Sequence, residues 1–243
     1  MDINGKNYCN KTTNFVYLIS TKNSRGDNMF YFDALSKINK GGFWDMLVID
    51  GVVGVGKTTL MKILKEQGYI PFEEPVFDNP ILEKFYYDRH RYSFPLQIFF
   101  LNKRFKHIKE ASKFDNAVMD RSIYGDVIFA KMLKDSGEMS QEEFDLYIEL
   151  FENMIEHCHP PKLMIYLEIS VDEAIRRINL RGRDYEKIVE REYWEKLNKN
   201  YREYFDQYTI SPILKINVDN LDFENIPEHR KFLLDKINEA LGK

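Results

Sequence analysis

Cysteine is almost missing from this chain: Cys9 and Cys158 are the only two in 243 residues. They are too few and too far apart for a disulfide framework, which points to a reducing compartment and makes the cytoplasm the expected location. Long apolar runs are missing too. No stretch reaches the ~18 residues of a membrane span, and the start of the chain lacks the charged-then-apolar pattern of a secretory signal. Asp2, Asp27 and Asp33 count against a transit peptide, a class poor in acids. Positive charge is not in excess, since 35 Lys and Arg against 39 Asp and Glu leave a net charge of −4. A protein that neutralises a phosphate backbone would show the opposite balance. Neither a membrane nor a nucleic acid is expected as a partner.

What is present suits one sizeable domain, with 44% apolar residues for its core. Residues 1–28 are rich in Asn, Lys, Thr and Ser, broken only by Phe15-Val16-Tyr17-Leu18-Ile19, and read as a loosely ordered extension with one candidate strand. From Phe43 onward short apolar runs alternate with helical patterns. That places an extension over 1–45 and a folded domain over 46–243. Strands are expected at 46–50, 69–72, 116–119, 163–168 and 213–218, giving an α/β fold with a five-stranded parallel sheet flanked by helices. Apolar residues three or four apart predict helices over 92–112 (Phe94, Ile98, Leu101, Phe105, Ile108) and 141–157 (Phe144, Tyr147, Ile148, Phe151, Ile155). Ser170 with Glu173 predicts a capping box opening a helix over 171–181.

The strongest local signal is Gly51-Val52-Val53-Gly54-Val55-Gly56-Lys57-Thr58, placed between the apolar run Met46 to Ile49 and the helical run Thr58 to Lys65. Strand, loop and helix in that order form a phosphate site, the signature of the P-loop NTPase fold. The glycines let backbone N–H groups turn inward around phosphate oxygens, Lys57 adds a point charge, and the Thr58 hydroxyl can reach Mg²⁺. Thr59 continues the loop into the helix. A nucleoside triphosphate is therefore the expected ligand, which leaves switch, motor and phosphotransferase open. A guanine-nucleotide switch would need Asn-Lys-x-Asp, and no Asn-Lys pair here is followed by Asp at that spacing.

Asp120-Arg121-Ser122 closes the run Ala117-Val118-Met119. An Asp at the carboxyl end of a parallel strand can hold Mg²⁺, or it can be a helix N-cap. Around it, Glu74-Pro75-Val76, Asp78-Asn79-Pro80-Ile81-Leu82, Tyr92-Ser93-Phe94 with Gln97, Asp120-Arg121-Ser122-Ile123-Tyr124 and Leu180-Arg181-Gly182-Arg183-Asp184 occur in one order. In this the chain resembles the deoxynucleoside kinases over roughly residues 46–225, and most the bacterial deoxyadenosine and deoxyguanosine branch.

The resemblance implies transfer of the ATP γ-phosphate to the 5′-hydroxyl of a deoxynucleoside in nucleotide salvage, with ATP and Mg²⁺ as cofactors. Glu74 corresponds to the base on the 5′-hydroxyl and Arg121 to the cation between that oxygen and the transferring group, with Lys57 on the phosphates. Thr58 and Asp120 would hold Mg²⁺. Arg177, Arg181 and Arg183 resemble the family's lid, although alone they read equally as a solvated helix end favoured by the macrodipole. Asp222-Phe223 resembles the loop touching the ATP adenine.

On the acceptor side, the Gln97 amide can bond a base edge in a bidentate way, and Arg104 lies two helical turns along the same face. Asp126 corresponds to the position facing the exocyclic amino group. A carboxylate accepts from an amino group and repels the keto oxygen of thymine, so adenine, guanine or cytosine is expected, deoxyadenosine first. Tyr86 and Glu186 correspond to the pair on the sugar 3′-hydroxyl, and Phe129 to an aromatic against the base, or otherwise to core. Leu96 and Tyr185 depart from the family pattern at the base and lid. The family pairs as homodimers through long helices, and the stripes on 92–112 and 141–157 fit such an interface or a monomer core.

Two other readings remain. A thymidylate-type kinase shares the phosphate loop and an Asp-Arg pair, but its acceptor is already an anion and has no use for Glu74. A non-catalytic nucleotide-binding partner protein would not need the full set. His157-Cys158-His159 diverge too much as neighbours to fill a tetrahedral metal site.

Overall fold

The structure, a computed structural model, describes residues 37–38, 41–74 and 79–243. Cys9, the expected strand in residues 15–19, and Pro75, Val76 and Asp78 of the motif series lie outside them. Five strands form the sheet: β1 Trp44–Asp50, β2 Ile70–Phe72, β3 Ala117–Asp120, β4 Pro161–Glu168 and β5 Ile213–Asn217. Their order is β2-β3-β1-β4-β5, and every neighbouring pair is parallel. Each strand lies where its apolar run predicted it. β1 and β4 occupy the middle because both of their faces are apolar, from Met46 to Ile49 and from Leu163 to Leu167. β5 lies at the edge and alternates, with Lys215 and Asn217 exposed on either side of buried Ile216.

The helices are α1 Lys57–Glu66, α2 Leu82–Tyr87, α3 Arg89–Ala111, α4 Asp126–Asp135, α5 Gln141–Ile155, α6 Val171–Arg181, α7 Asp184–Lys187, α8 Arg191–Asp206 and α9 Pro227–Ala240. None of the described helices is long and apolar enough to cross a membrane. α3 begins three residues before the expected Tyr92, because the Asp88 carboxylate accepts from the Arg91 N–H at 3.2 Å and caps it. α5 stops at Ile155, short of the expected 157. The chain there must turn into β4 through Pro160 and Pro161, which cannot continue a helical hydrogen-bond ladder.

The expected capping box at Ser170 is half made. The Ser170 hydroxyl accepts from the Glu173 N–H at 3.3 Å, but the Ser170 N–H goes to Asp219 Oδ1 at 2.7 Å. The Glu173 carboxylate is thereby left to Arg176 and Arg177. A complete box opens α5, where Ser140 and Glu143 cap each other reciprocally.

Parallel strands end on the same side, so the carboxyl ends of β1, β2 and β3 bring Gly51, Glu74 and Arg121 to one rim. Ligands of open α/β sheets bind in that crevice.

Candidate active site

A cavity of about 860 Å³ opens at this rim. Its first wall is the phosphate loop. Gly51, Gly54 and Gly56 all take positive φ. At Gly56, with φ 104°, a Cβ would stand 2.6 Å from the Phe223 ring, so the position excludes any side chain on two counts. Lys57 opens α1 and is buried, its ammonium donating to the Gly51 and Val52 carbonyls at 3.0 Å each. Burial and the repulsion of Arg121 push it down to about 8, against the pull of Asp120, Glu74 and Asp50.

Asp120 ends β3 and lies beside the loop, with its Oδ2 accepting from the Thr58 hydroxyl at 3.3 Å. Its Oδ1 is buried without a hydrogen-bond partner. Burial raises the carboxyl to about 6, with Glu74 and Asp50 adding to the rise and Lys57 and Arg121 opposing it. An orphaned carboxylate oxygen next to a hydroxyl fits Mg²⁺, a hard cation that takes one or two protein oxygens and completes its shell with phosphate and water. Among the described residues no group of three or more His, Cys, Asp or Glu converges as a metal site by itself.

The second wall is a charge network. Glu74, two residues past β2, accepts from Arg104 Nη2 at 2.6 Å and has Arg121 Nε at 3.1 Å from the same oxygen. Burial alone would raise this carboxyl, but Arg121, Arg104 and Lys57 hold it at about 2. Arg104 is buried, pairs with Asp126 and lies over the Phe100 ring at 4.6 Å. Asp126, at the start of α4, is buried and does not line the cavity itself, whereas Arg104, Gln97 and Phe129 do.

Arg121 has the one positive φ among the described non-glycine residues, 63°. Its guanidinium donates to the Tyr201 hydroxyl and lies 5.2 Å from the Phe129 ring centre. Phe129 is itself edge-on to Tyr201 at 5.9 Å, so it belongs to the core as well as to the wall.

The third wall faces the lid candidates. Glu186 in α7 is 3% exposed and accepts from Arg181 and, at 3.3 Å, from Arg183. Arg177 donates to Glu173 at 2.7 Å and to main chain, reaching Val55 O at 3.2 Å and Val218 O at 2.7 Å, so it joins the phosphate loop to the segment after β5. Tyr86 lines the cavity beside Glu186, its hydroxyl pushed well up by burial and by Tyr193 and Glu186. Tyr185 stacks on Tyr86 with ring centres 5.4 Å apart. Asp222 accepts from the Asn225 N–H at 3.0 Å, and buried Phe223 packs under Gly56.

Val53 and Thr59 also line the cavity, whereas Gly51, Val52 and Val55 shape the loop without reaching the wall. Three side chains stand at the site that spacing did not single out: Asp50, Tyr193 and Tyr201. For Asp50 a signal existed, a charge closing an apolar strand directly before the glycines. The two tyrosines share one face of α8, where an aromatic stripe reads as core.

Residues 47–242 match the deoxynucleoside kinase family. The chain is 39% identical to a deoxyguanosine kinase of Lactobacillus acidophilus over 206 residues, 81% of this chain and 90% of that one. It is 40% identical to the deoxyadenosine/deoxycytidine kinase of Bacillus subtilis over 201 residues, 81% and 93% of the two chains. Among solved structures, deoxyadenosine kinase from M. mycoides with bound dATP superposes with a TM-score of 0.71 at 35% identity, covering 79% of this chain and 99% of that one.

Proposed function

The chain belongs to the deoxynucleoside kinase family and is a phosphotransferase, and from that premise we propose that it moves the ATP γ-phosphate to the 5′-hydroxyl of deoxyadenosine, with deoxyguanosine or deoxycytidine next in preference. The observation that carries this is the Glu74 carboxylate. It is held ionised by two guanidiniums and opens into the same cavity as the phosphate loop. A sugar alcohol needs a proton acceptor in line with the donor phosphorus, and a monophosphate does not.

In this reading Glu74 accepts the hydrogen of the 5′-hydroxyl and orients the oxygen. Its low basicity suits a loose transition state, in which the alcohol keeps its proton until late. Arg121 neutralises charge between that oxygen and the transferring group, while Lys57 and the loop amides hold the donor phosphates. Thr58 and Asp120 would hold Mg²⁺, which when bound would supply charge neutralisation for the donor phosphates. Arg177, Arg181 and Arg183 act as the lid, and Asp222 with Phe223 borders the ATP adenine.

Tyr86 and Glu186 take the 3′-hydroxyl, and Gln97, Arg104 with its paired Asp126, and Phe129 read the base. Names among the relatives lean toward a purine acceptor, since they include deoxyguanosine and deoxyadenosine kinases beside a deoxyadenosine/deoxycytidine kinase. We place the kinase domain at 46–243, with residues 1–45 an extension whose role we leave unassigned. The α5 stripe at Phe144, Tyr147, Phe151 and Ile155 is buried within the monomer, so a homodimer would use the exposed Leu146 on α5 and the half-buried Phe94 and Ile98 on α3, and we place it in the cytoplasm, working in salvage.

Four deoxynucleosides assayed side by side with ATP and Mg²⁺ test the proposal. Deoxyadenosine should give the highest kcat/KM and thymidine the lowest. A preference for thymidine, or for thymidine monophosphate over every nucleoside, would overturn it.

A further inference from the structure

Asp50 closes β1 one residue before the phosphate loop and has no part in the chemistry above. Its side chain is 1% exposed. Oδ1 accepts from the Gly51 N–H at 2.7 Å and lies 3.7 Å from Arg121 Nη1, close enough for charge attraction and too long for a hydrogen bond. On its other side the carboxylate abuts Gly125, where a Cβ would come within 2.5 Å of Oδ2. The space for this charge therefore exists because position 125 carries no side chain.

The neighbouring residue grips Arg121 as well. The Arg121 N–H donates to Ile49 O at 2.8 Å, and this main-chain bond accompanies its left-handed backbone. The end of β1 thus holds Arg121 twice, by main chain through Ile49 and by charge through Asp50. Tyr201 takes Nη1, and Glu74 faces Nε. Asp120, at the end of β3, also attracts the guanidinium, though less than Glu74 and Asp50 do. With carboxylates on two sides, it is held between them.

We propose that Asp50 is a positioning residue for phosphoryl transfer, which holds the Arg121 guanidinium from behind so that it stays between Glu74 and the donor phosphate. The inference rests on Arg121 acting on the reacting groups, as read above. It assigns Asp50 a role distinct from shaping the loop, and the two roles separate chemically. Asn at position 50 keeps an oxygen for the Gly51 N–H but loses the charge that faces Arg121.

The test is Asp50→Asn, measured as kcat, both KM values and ADP affinity by calorimetry, alone and in an Arg121→Lys background. The expected result is a kcat loss of roughly tenfold or more, with both KM values and ADP affinity within about twofold of wild type. In the Arg121→Lys background the same change should cost less than about twofold, because the two residues act as one unit. Gly125→Ala serves as a second variant should Asp50→Asn fail to fold. It leaves Asp50 in place, displaces its carboxylate, and should lower kcat with the same sparing of KM.

Wild-type turnover in whichever of these variants folds, a loss confined to the KM for ATP, or a full independent loss in the Arg121→Lys background would each overturn the proposal. An Arg121→Lys variant with unchanged turnover would instead remove the reading of Arg121 itself. A crippled Arg121→Lys beside a fully active Asp50→Asn removes only the role of Asp50.

Discussion

The loop end of the cavity comes from one continuous stretch of chain, and the end around Glu74 from side chains of separate elements. At the first, one continuous segment from Gly51 to Thr59 supplies the amides, the ammonium and the hydroxyl. At the second, a single carboxylate on Glu74 is set by Arg104 from α3 and Arg121 from the end of β3, and these are set in turn by Asp126 and Asp50. The electrostatic outcomes also differ. Lys57 in its main-chain nest is pushed down to about 8 by burial and by Arg121, so its charge is lost only above neutral pH. Glu74, among guanidiniums, is held at about 2 and keeps its charge at any working pH. A site of the first kind tolerates no side chain at its glycines, and one of the second tolerates no loss of a partner.

The largest effect separating the two ends is expected from Glu74→Gln. It should lower kcat by roughly 100- to 10,000-fold, the range of a lost acid–base group, while ADP binding by calorimetry stays at the wild-type value. Unchanged kcat would remove Glu74 from the chemistry. Gly56→Ala attacks the other end. Its Cβ meets the Phe223 ring and its φ of 104° strains any L-residue, so the KM for ATP should rise about tenfold or more for a cost on the order of 1–2 kcal/mol. Deoxyadenosine affinity measured without ATP should not move, and a parallel loss there would merge the two ends into one.

The pH profile probes both ends together. Asp120, raised to about 6, must be ionised to hold a cation, and Lys57, lowered to about 8, must be charged to hold phosphate. Activity as kcat/KM for ATP should therefore fall below about 6 and above about 8. Glu74, held at about 2, should leave no limb of its own in this range. An acid limb that Glu74→Gln abolishes would contradict that assignment. Tyr185→Leu should have the smallest effect. Losing its stack on Tyr86 costs about 1 kcal/mol, roughly a fivefold rise in the deoxynucleoside KM with the ATP KM constant.

The same division decided what could be read in advance. The five strands, their parallel pairing and the phosphate loop are local facts of pattern, and each lies within two residues of its expected place. Glu74 and Arg121 could be named from motif order and Arg104 from helical spacing beyond Gln97, but the oxygen they share could not, because three separate elements bring them to it. Asp50 escaped notice because its partners Arg121 and Gly125 are far along the chain and its value depends on a missing side chain. The half-made capping box at Ser170 failed for a similar reason, since Asp219 after β5 takes the amide that Glu173 would have needed. Asp126 kept its neighbourhood but reaches the cavity only through Arg104.

The Phe223 ring beneath Gly56 has a bearing on how the molecule comes into being. A ribosome delivers the whole glycine motif early, yet the aromatic floor on which it rests emerges only after β5 has been made. A fragment truncated before residue 223 is therefore expected to display the motif without the ring that packs beneath it.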